Sequence, residues 1–168
     1  QADLDDTVAQ VEATGQRILA AKADVRFRDQ LAEVVGKGVA EFGRLDIVCA
    51  NAGILPVKEH TPQAFVDAVD VDLGGVLNTV AVTLPYLTAG ASIVLTGSTA
   101  GMMPSTLTNP AMGPGSVGYG ISKTFIVQYA ETLALQLAPH SIRVNAVHPT
   151  NVNTDLINNE DIYRVFRP

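Results

Sequence analysis

The chain has 168 residues, 47% hydrophobic and 17% charged, with 17 acidic against 11 basic side chains and a net charge of −6. That is one domain's length with enough apolar content for a core, which excludes a disordered tail, and the acidic balance without a basic run argues against nucleic acid and anionic membrane surfaces as partners. No stretch approaches about 18 consecutive apolar residues, so no membrane span is expected; no signal peptide is visible, and the lone Cys49 excludes an internal disulfide and suits a reducing, cytoplasmic compartment.

Gln1 opens the chain in what reads as the middle of a helix, so processing or a longer parent protein is expected. Leu4, Val8 and Val11 recur at helical spacing, and Gly15 stops that first helix. Residues 17–23 are mostly apolar and read as a strand. Asp29 is placed to cap a helix carrying Leu31, Val35, Val39 and Phe42, which Gly43 ends. LDIVCA (45–50) reads as a strand buried on both faces, which makes Cys49 a structural thiol. Thr61-Pro62 opens a helix that continues to about Leu87, with Gly74 and Gly75 as weak points. ASIVLT (91–96) is another buried strand, and 101–118 is a loop rich in Gly, Pro, Ser and Thr. Ile126, Ala130, Leu133 and Leu137 mark the buried stripe of a helix over 117–138, and SIRVNAV (141–147) is a strand stopped by His148-Pro149.

Strand and helix alternate throughout, which implies βαβ units and a parallel sheet covered on both sides. Ligands gather beyond the carboxyl ends of such strands. The residues that matter are therefore Asp24-Val25, Asn51-Ala52-Gly53, Gly97-Ser98 and His148-Pro149-Thr150.

Tyr119 and Lys123 lie four apart on one helix face. A phenol has an ordinary pKa of about 10, too high for a base at neutral pH, and a nearby ammonium lowers it by favouring phenolate. The pair suits proton transfer; the plainer alternative is a surface pair. Ser98, just past a buried strand, can donate to a carbonyl or alkoxide oxygen; its alternative is a turn serine. Gly53 allows close backbone approach to a ligand and Asn51 can tie neighbouring strands together, or the two belong to a plain turn. The histidines His60, His140 and His148 have no metal-ligand spacing, so no metal is expected. Asp67 and Asp70 read as a solvated helix face. Met102, Met103 and Met112 either line an apolar pocket or pack their loop onto the protein.

Asp24-Val25, LDIVCANAG (45–53), GSTAG (97–101), Tyr119-Gly-Ile-Ser-Lys123 and SIRVNAVHPTNVNT (141–154) occur in this order over nearly the whole chain. Together they resemble the short-chain dehydrogenase/reductase family. The long Ser98-to-Tyr119 insert and the HPTNVNT ending are similar to its mycofactocin-associated, carveol-dehydrogenase-like subgroup. The resemblance implies an α/β fold, a Rossmann-like doubly wound parallel sheet, incomplete at both ends of this chain. Residues 1–168 would form a single domain fragment lacking the N-terminal phosphate loop and the C-terminal end. It implies an oxidoreductase transferring a hydride between NAD or NADP and a secondary alcohol or ketone, NAD being favoured by the subgroup. Tyr119 would be the general acid/base, Lys123 would lower its pKa and hold the nicotinamide ribose, and Ser98 would orient the substrate oxygen. Asp24 and Val25 would flank the adenine, while Asn51, Ala52 and Gly53 would line its ribose. Pro149 would close over the nicotinamide, with Val152 and Thr154 meeting the carboxamide. The long helices at 62–88 and 117–138 would pack against a second subunit in a homodimer or homotetramer.

Two departures from the family pattern stand out. Its fourth catalytic position is usually Asn in a Val-Asn-Leu setting, and this chain has Val71-Asp72-Leu73. An ionised carboxylate cannot donate a hydrogen bond, and its charge near Tyr119 opposes phenolate formation. Asn78, six residues on and about 600° around a helix, is no obvious substitute. The opening glycine-rich phosphate loop is also missing. In the family's strand order, 3-2-1-4-5-6-7, two absent strands would separate 17–23 from 45–50, a gap of roughly 14 Å. A non-catalytic dinucleotide-binding or scaffold protein of the same fold, and a 3-oxoacyl-thioester reductase, stay open as alternatives.

Overall fold

In a computed structural model, residues 2–57, 59–103 and 110–166 are described. Three short apolar runs carry the sheet: β1 (Leu45–Ala50), β2 (Leu87–Thr96) and β3 (Arg143–Val147), all parallel in the order β1-β2-β3. The register sets Val48 beside Ile93, and Ile93 beside Val144. β2 thus starts at Leu87 rather than Ala91.

Side chains alternate across a strand. Val48 and Ala50, Ile93 and Leu95, and Val144 point to one face and are buried there. The facing cover is Val76 and Val80 from α4 (Gly75–Thr83) with Ile126, Ala130, Leu133 and Leu137 from α5 (Gly113–Leu137). The four residues expected on the stripe of α5 are those that meet the sheet. Each large aliphatic side chain so buried stabilises the fold by about 1.5–3 kcal/mol.

The opposite face carries exposed Ile47, Cys49 and Val147. The expected burial of 45–50 on both faces is therefore corrected to one, and Cys49 is an exposed thiol. Among the described residues, helices cover a single face of the sheet. The expected strand at 17–23 does not form. A strand exists only where a neighbour completes its ladder, and no described strand lies beside this segment. Arg17 fastens it instead, pairing with Glu41 and lying 4.9 Å above the Phe42 ring.

α1 (Ala2–Ala13) is followed by Gly15 at φ +77°, the left-handed conformation that favours glycine. α2 (Arg28–Phe42) starts one residue before the expected cap: Phe27 holds the cap position, and Asp29 sits in the first turn, where its charge suits the helix dipole. Gly43 ends α2 at φ +82° and donates to the Val39 carbonyl at 2.8 Å. Thr61 opens α3 (Pro62–Val69), its Oγ1 accepting from the Ala64 amide at 3.4 Å. The single helix expected from there to Leu87 is divided. A π turn (Asp70–Gly74) separates α3 from α4, and a 3-10 turn (Leu84–Tyr86) closes α4. Such π turns re-aim side chains and are frequent at functional sites. α6 (Glu160–Phe166) follows the last strand, and its Ile162 is buried with Val57 and Met112. Met112 thus packs its loop onto the protein, while Met102 and Met103 are exposed. No described helix is long and apolar enough to cross a membrane.

Candidate active site

Thr96 ends β2 and is the junction of the site. Its Oγ1 donates to Asn51 Oδ1 at 3.0 Å, stitching the end of β1 to that of β2, and its carbonyl accepts from Lys123 Nζ at 2.9 Å. Two residues on, Ser98 caps the short turn Thr99–Gly101, its Oγ accepting from the Ala100 amide at 3.2 Å. Gly101 fits this turn against α5: a Cβ there would lie 2.5 Å from the Lys123 carbonyl carbon. The end of β3 is tied in as well, because the Pro149 carbonyl accepts from the Thr99 amide at 3.1 Å.

Tyr119 and Lys123 stand one turn apart on α5, with Nζ 5.4 Å from the phenol ring centroid. Ser98 and Lys123 are buried and Tyr119 half-buried. Asp72, in the π turn, is fully buried. Its Oδ1 lies 3.6 Å from Lys123 Nζ and accepts from the Ile54 amide at 3.1 Å. Its Oδ2 is buried with no hydrogen-bond partner among the described residues. Ser98, Tyr119, Lys123 and Asp72 thus form one centre beyond the carboxyl end of β2.

The electrostatics follow from this burial. Desolvation pushes the Asp72 carboxyl up to about 6, against the pull of Lys123 and the Ile54 amide. Desolvation holds Lys123 below the usual lysine range, with Asp72 opposing it. Tyr119 is raised, chiefly by burial; the Ser98 hydroxyl pulls it down and the Asp72 charge pushes it up. The net shift of Tyr119 is therefore upward, opposite to the lowering expected from Lys123, because burial outweighs the cation's support. The ammonium is turned toward the Thr96 carbonyl and Asp72, so its charge is shared before it reaches the phenol.

A groove of about 500 Å³ runs along Lys22, Asp24, Val25, Arg26, Ala52 and Val71, next to the strand ends but apart from Tyr119. Asp24 is held by Arg26, whose Nη2 donates to Oδ2 at 2.6 Å, and this bond keeps the carboxyl below its ordinary value. Asn78, which the spacing left without a role, shapes this groove from α4. Its Nδ2 donates to the carbonyls of Val25 at 3.0 Å and Arg26 at 3.2 Å. A lone amide in an otherwise apolar helix segment was the available signal. Of the remaining expected residues, Val152 and Thr154 are exposed after β3, the Thr154 amide donating to the Val152 carbonyl at 2.8 Å. No group of three or more His, Cys, Asp or Glu among the described residues is arranged to hold a metal.

The family described as short chain dehydrogenase matches residues 1–162. A (−)-trans-carveol dehydrogenase of Rhodococcus erythropolis is 40% identical over 99% of this chain and 60% of its own length. A carveol dehydrogenase of Mycobacterium avium, solved in complex with NAD, superposes with a TM-score of 0.87 at 35% identity, over 99% of this chain and 60% of that one. A short chain dehydrogenase of Mycobacterium paratuberculosis bound to NAD gives a TM-score of 0.83 at 40% identity, over 98% and 60% of the two chains. The chain therefore spans about 60% of the length of these relatives. With the parallel sheet and the serine, tyrosine and lysine gathered at its carboxyl edge, this chain belongs to the short-chain dehydrogenase/reductase family.

Proposed function

We propose that this chain supplies the proton-transfer centre of a nicotinamide-dependent oxidoreductase that interconverts a secondary alcohol and its ketone. The observation that carries this reading is the convergence of Ser98, Tyr119 and Lys123 beyond β2. The groove at Asp24, Val25 and Ala52, apolar apart from its charged rim, suits the adenine end of a dinucleotide. The two solved relatives are described with NAD, which favours NAD here. The bound cofactor would supply the hydride chemistry.

The protein's own part is to place a proton. In this reading Ser98 donates its hydroxyl to the substrate oxygen, while its Oγ accepts from the Ala100 amide. Tyr119 gives its phenolic proton to the oxygen in ketone reduction and takes it back in alcohol oxidation. Lys123 stabilises the phenolate through its charge, and its bond to Thr96 fixes the ammonium relative to the sheet. A non-catalytic scaffold gains nothing from a buried ammonium beside a phenol, and burial of such a cation is costly. Met102 and Met103, exposed directly after the Ser98 turn, favour a small apolar alcohol as substrate.

In the full-length protein with its cofactor, Tyr119→Phe removes the proton donor and keeps the ring. Turnover should fall by at least about 10²–10⁴-fold, with cofactor affinity near that of the parent in a calorimetric titration. Turnover retained by this variant removes Tyr119 from the mechanism.

A further inference from the structure

Asp72 is a buried carboxylate where the family pattern has an amide, and its surroundings assign it a task. Its Oδ1 holds the Ile54 amide at 3.1 Å and faces Lys123 Nζ at 3.6 Å. Both side chains are at least nine-tenths buried, at 0% and 3% exposure, so solvent does little to screen them from each other. The space is closed on the loop side: a Cβ at Gly53 would sit 2.5 Å from Oδ1. The ammonium has two partners, Asp72 and the Thr96 carbonyl, and stands 5.4 Å from the Tyr119 ring centroid.

We propose that Asp72 is a positioning residue of the proton-transfer centre, which by holding the Lys123 ammonium in a buried ion pair divides its charge between carboxylate and phenol. This rests on the hydride-transfer reading for its consequence in catalysis, but not for the ion pair itself. Ionised Asp72 withdraws part of the cation's support from the phenolate, so Tyr119 releases its proton at higher pH than a neutral residue at position 72 would allow. When Asp72 takes up a proton, Oδ2 is the free oxygen to receive it, and the whole charge of Lys123 then acts on the phenol.

The neighbouring charges leave this pairing intact. α5 brings Lys123 and Tyr119 to Asp72, and α4 carries no ionisable side chain. On α3, Asp67 accepts from Gln63 at 2.9 Å and, with Asp70, acts on Arg26 rather than Lys123. The loop after β1 presents the Ile54 amide.

Asp72→Asn keeps the shape and removes the charge. In the full-length protein with its cofactor, the pH of half-maximal alcohol oxidation should fall by about one unit. The same shift should appear without turnover, in the near-ultraviolet phenolate absorbance isolated by subtracting the matched Tyr119→Phe variants. A phenolate midpoint that Asp72→Asn leaves unchanged overturns the proposal. Should Tyr119→Phe retain turnover, the hydride-transfer reading fails, yet the phenolate titration still decides the role of Asp72. Should Asp72→Asn fail to fold, carbon NMR of the parent protein decides it. The Asp72 carboxyl and the Lys123 ε-carbon should then share one midpoint, and a carboxyl that titrates with no response at Lys123 overturns the proposal.

Discussion

Gly53 is occupied by necessity rather than by convenience. The sequence suggests that its missing side chain admits a ligand; in the structure the space a Cβ would take lies 2.5 Å from Asp72 Oδ1. Gly53→Ala should therefore force Asp72 off Ile54 and Lys123. A loss of about 1–3 kcal/mol is expected, seen as a lower denaturant midpoint with an unchanged slope. The positions of Ser98, Tyr119 and Lys123 were legible from one strand end and one helical spacing, while their roles came only from the resemblance of the combined motifs. The Asp72 pairing was not: a π turn re-aims the side chain, and no periodicity of 3.6 residues foretells that. The direction of the Tyr119 pKa was likewise hidden, since it depends on burial and on how Lys123 divides its contacts.

Among the elements, α4 links the two halves of the candidate site. Its buried side supports the sheet through Val76 and Val80, while Asn78 reaches the loop after residues 17–23. Val25 also presses on α4 at Gly75, where a Cβ would lie 2.5 Å from Cγ2. Asn78→Ala leaves the Val25 and Arg26 carbonyls without these donors and frees the groove wall. Loss of two such bonds corresponds to about 1–3 kcal/mol, so calorimetry should record NAD binding weakened about tenfold in the full-length protein, with the sheet's circular dichroism unchanged. The α5 stripe was readable because four residues at helical spacing meet a single surface. The strand expected at 17–23 failed for the opposite reason: ladder formation belongs to a pair of segments, and composition reports on one at a time.

At the scale of the molecule, α5 presents Val117, Ile121 and Phe125 outward, four residues apart and each at least 41% exposed. That apolar row suits the dimer or tetramer that the resemblance leads one to expect. Ile121→Glu combined with Phe125→Glu should shift the full-length protein to monomers in light scattering, and an unchanged mass would move the interface elsewhere. The parallel order and the position of the centre at the carboxyl edge followed from the alternation of strand and helix. The one-sided cover of the sheet did not, since β1 has the same apolar composition whichever of its faces is covered.

The chain's sole thiol stands on the open side of β1. It gives the protein a native gauge of occupancy: whatever settles over that side must shield the sulfur, and the speed of maleimide labelling then follows the covering event with every residue left as nature wrote it.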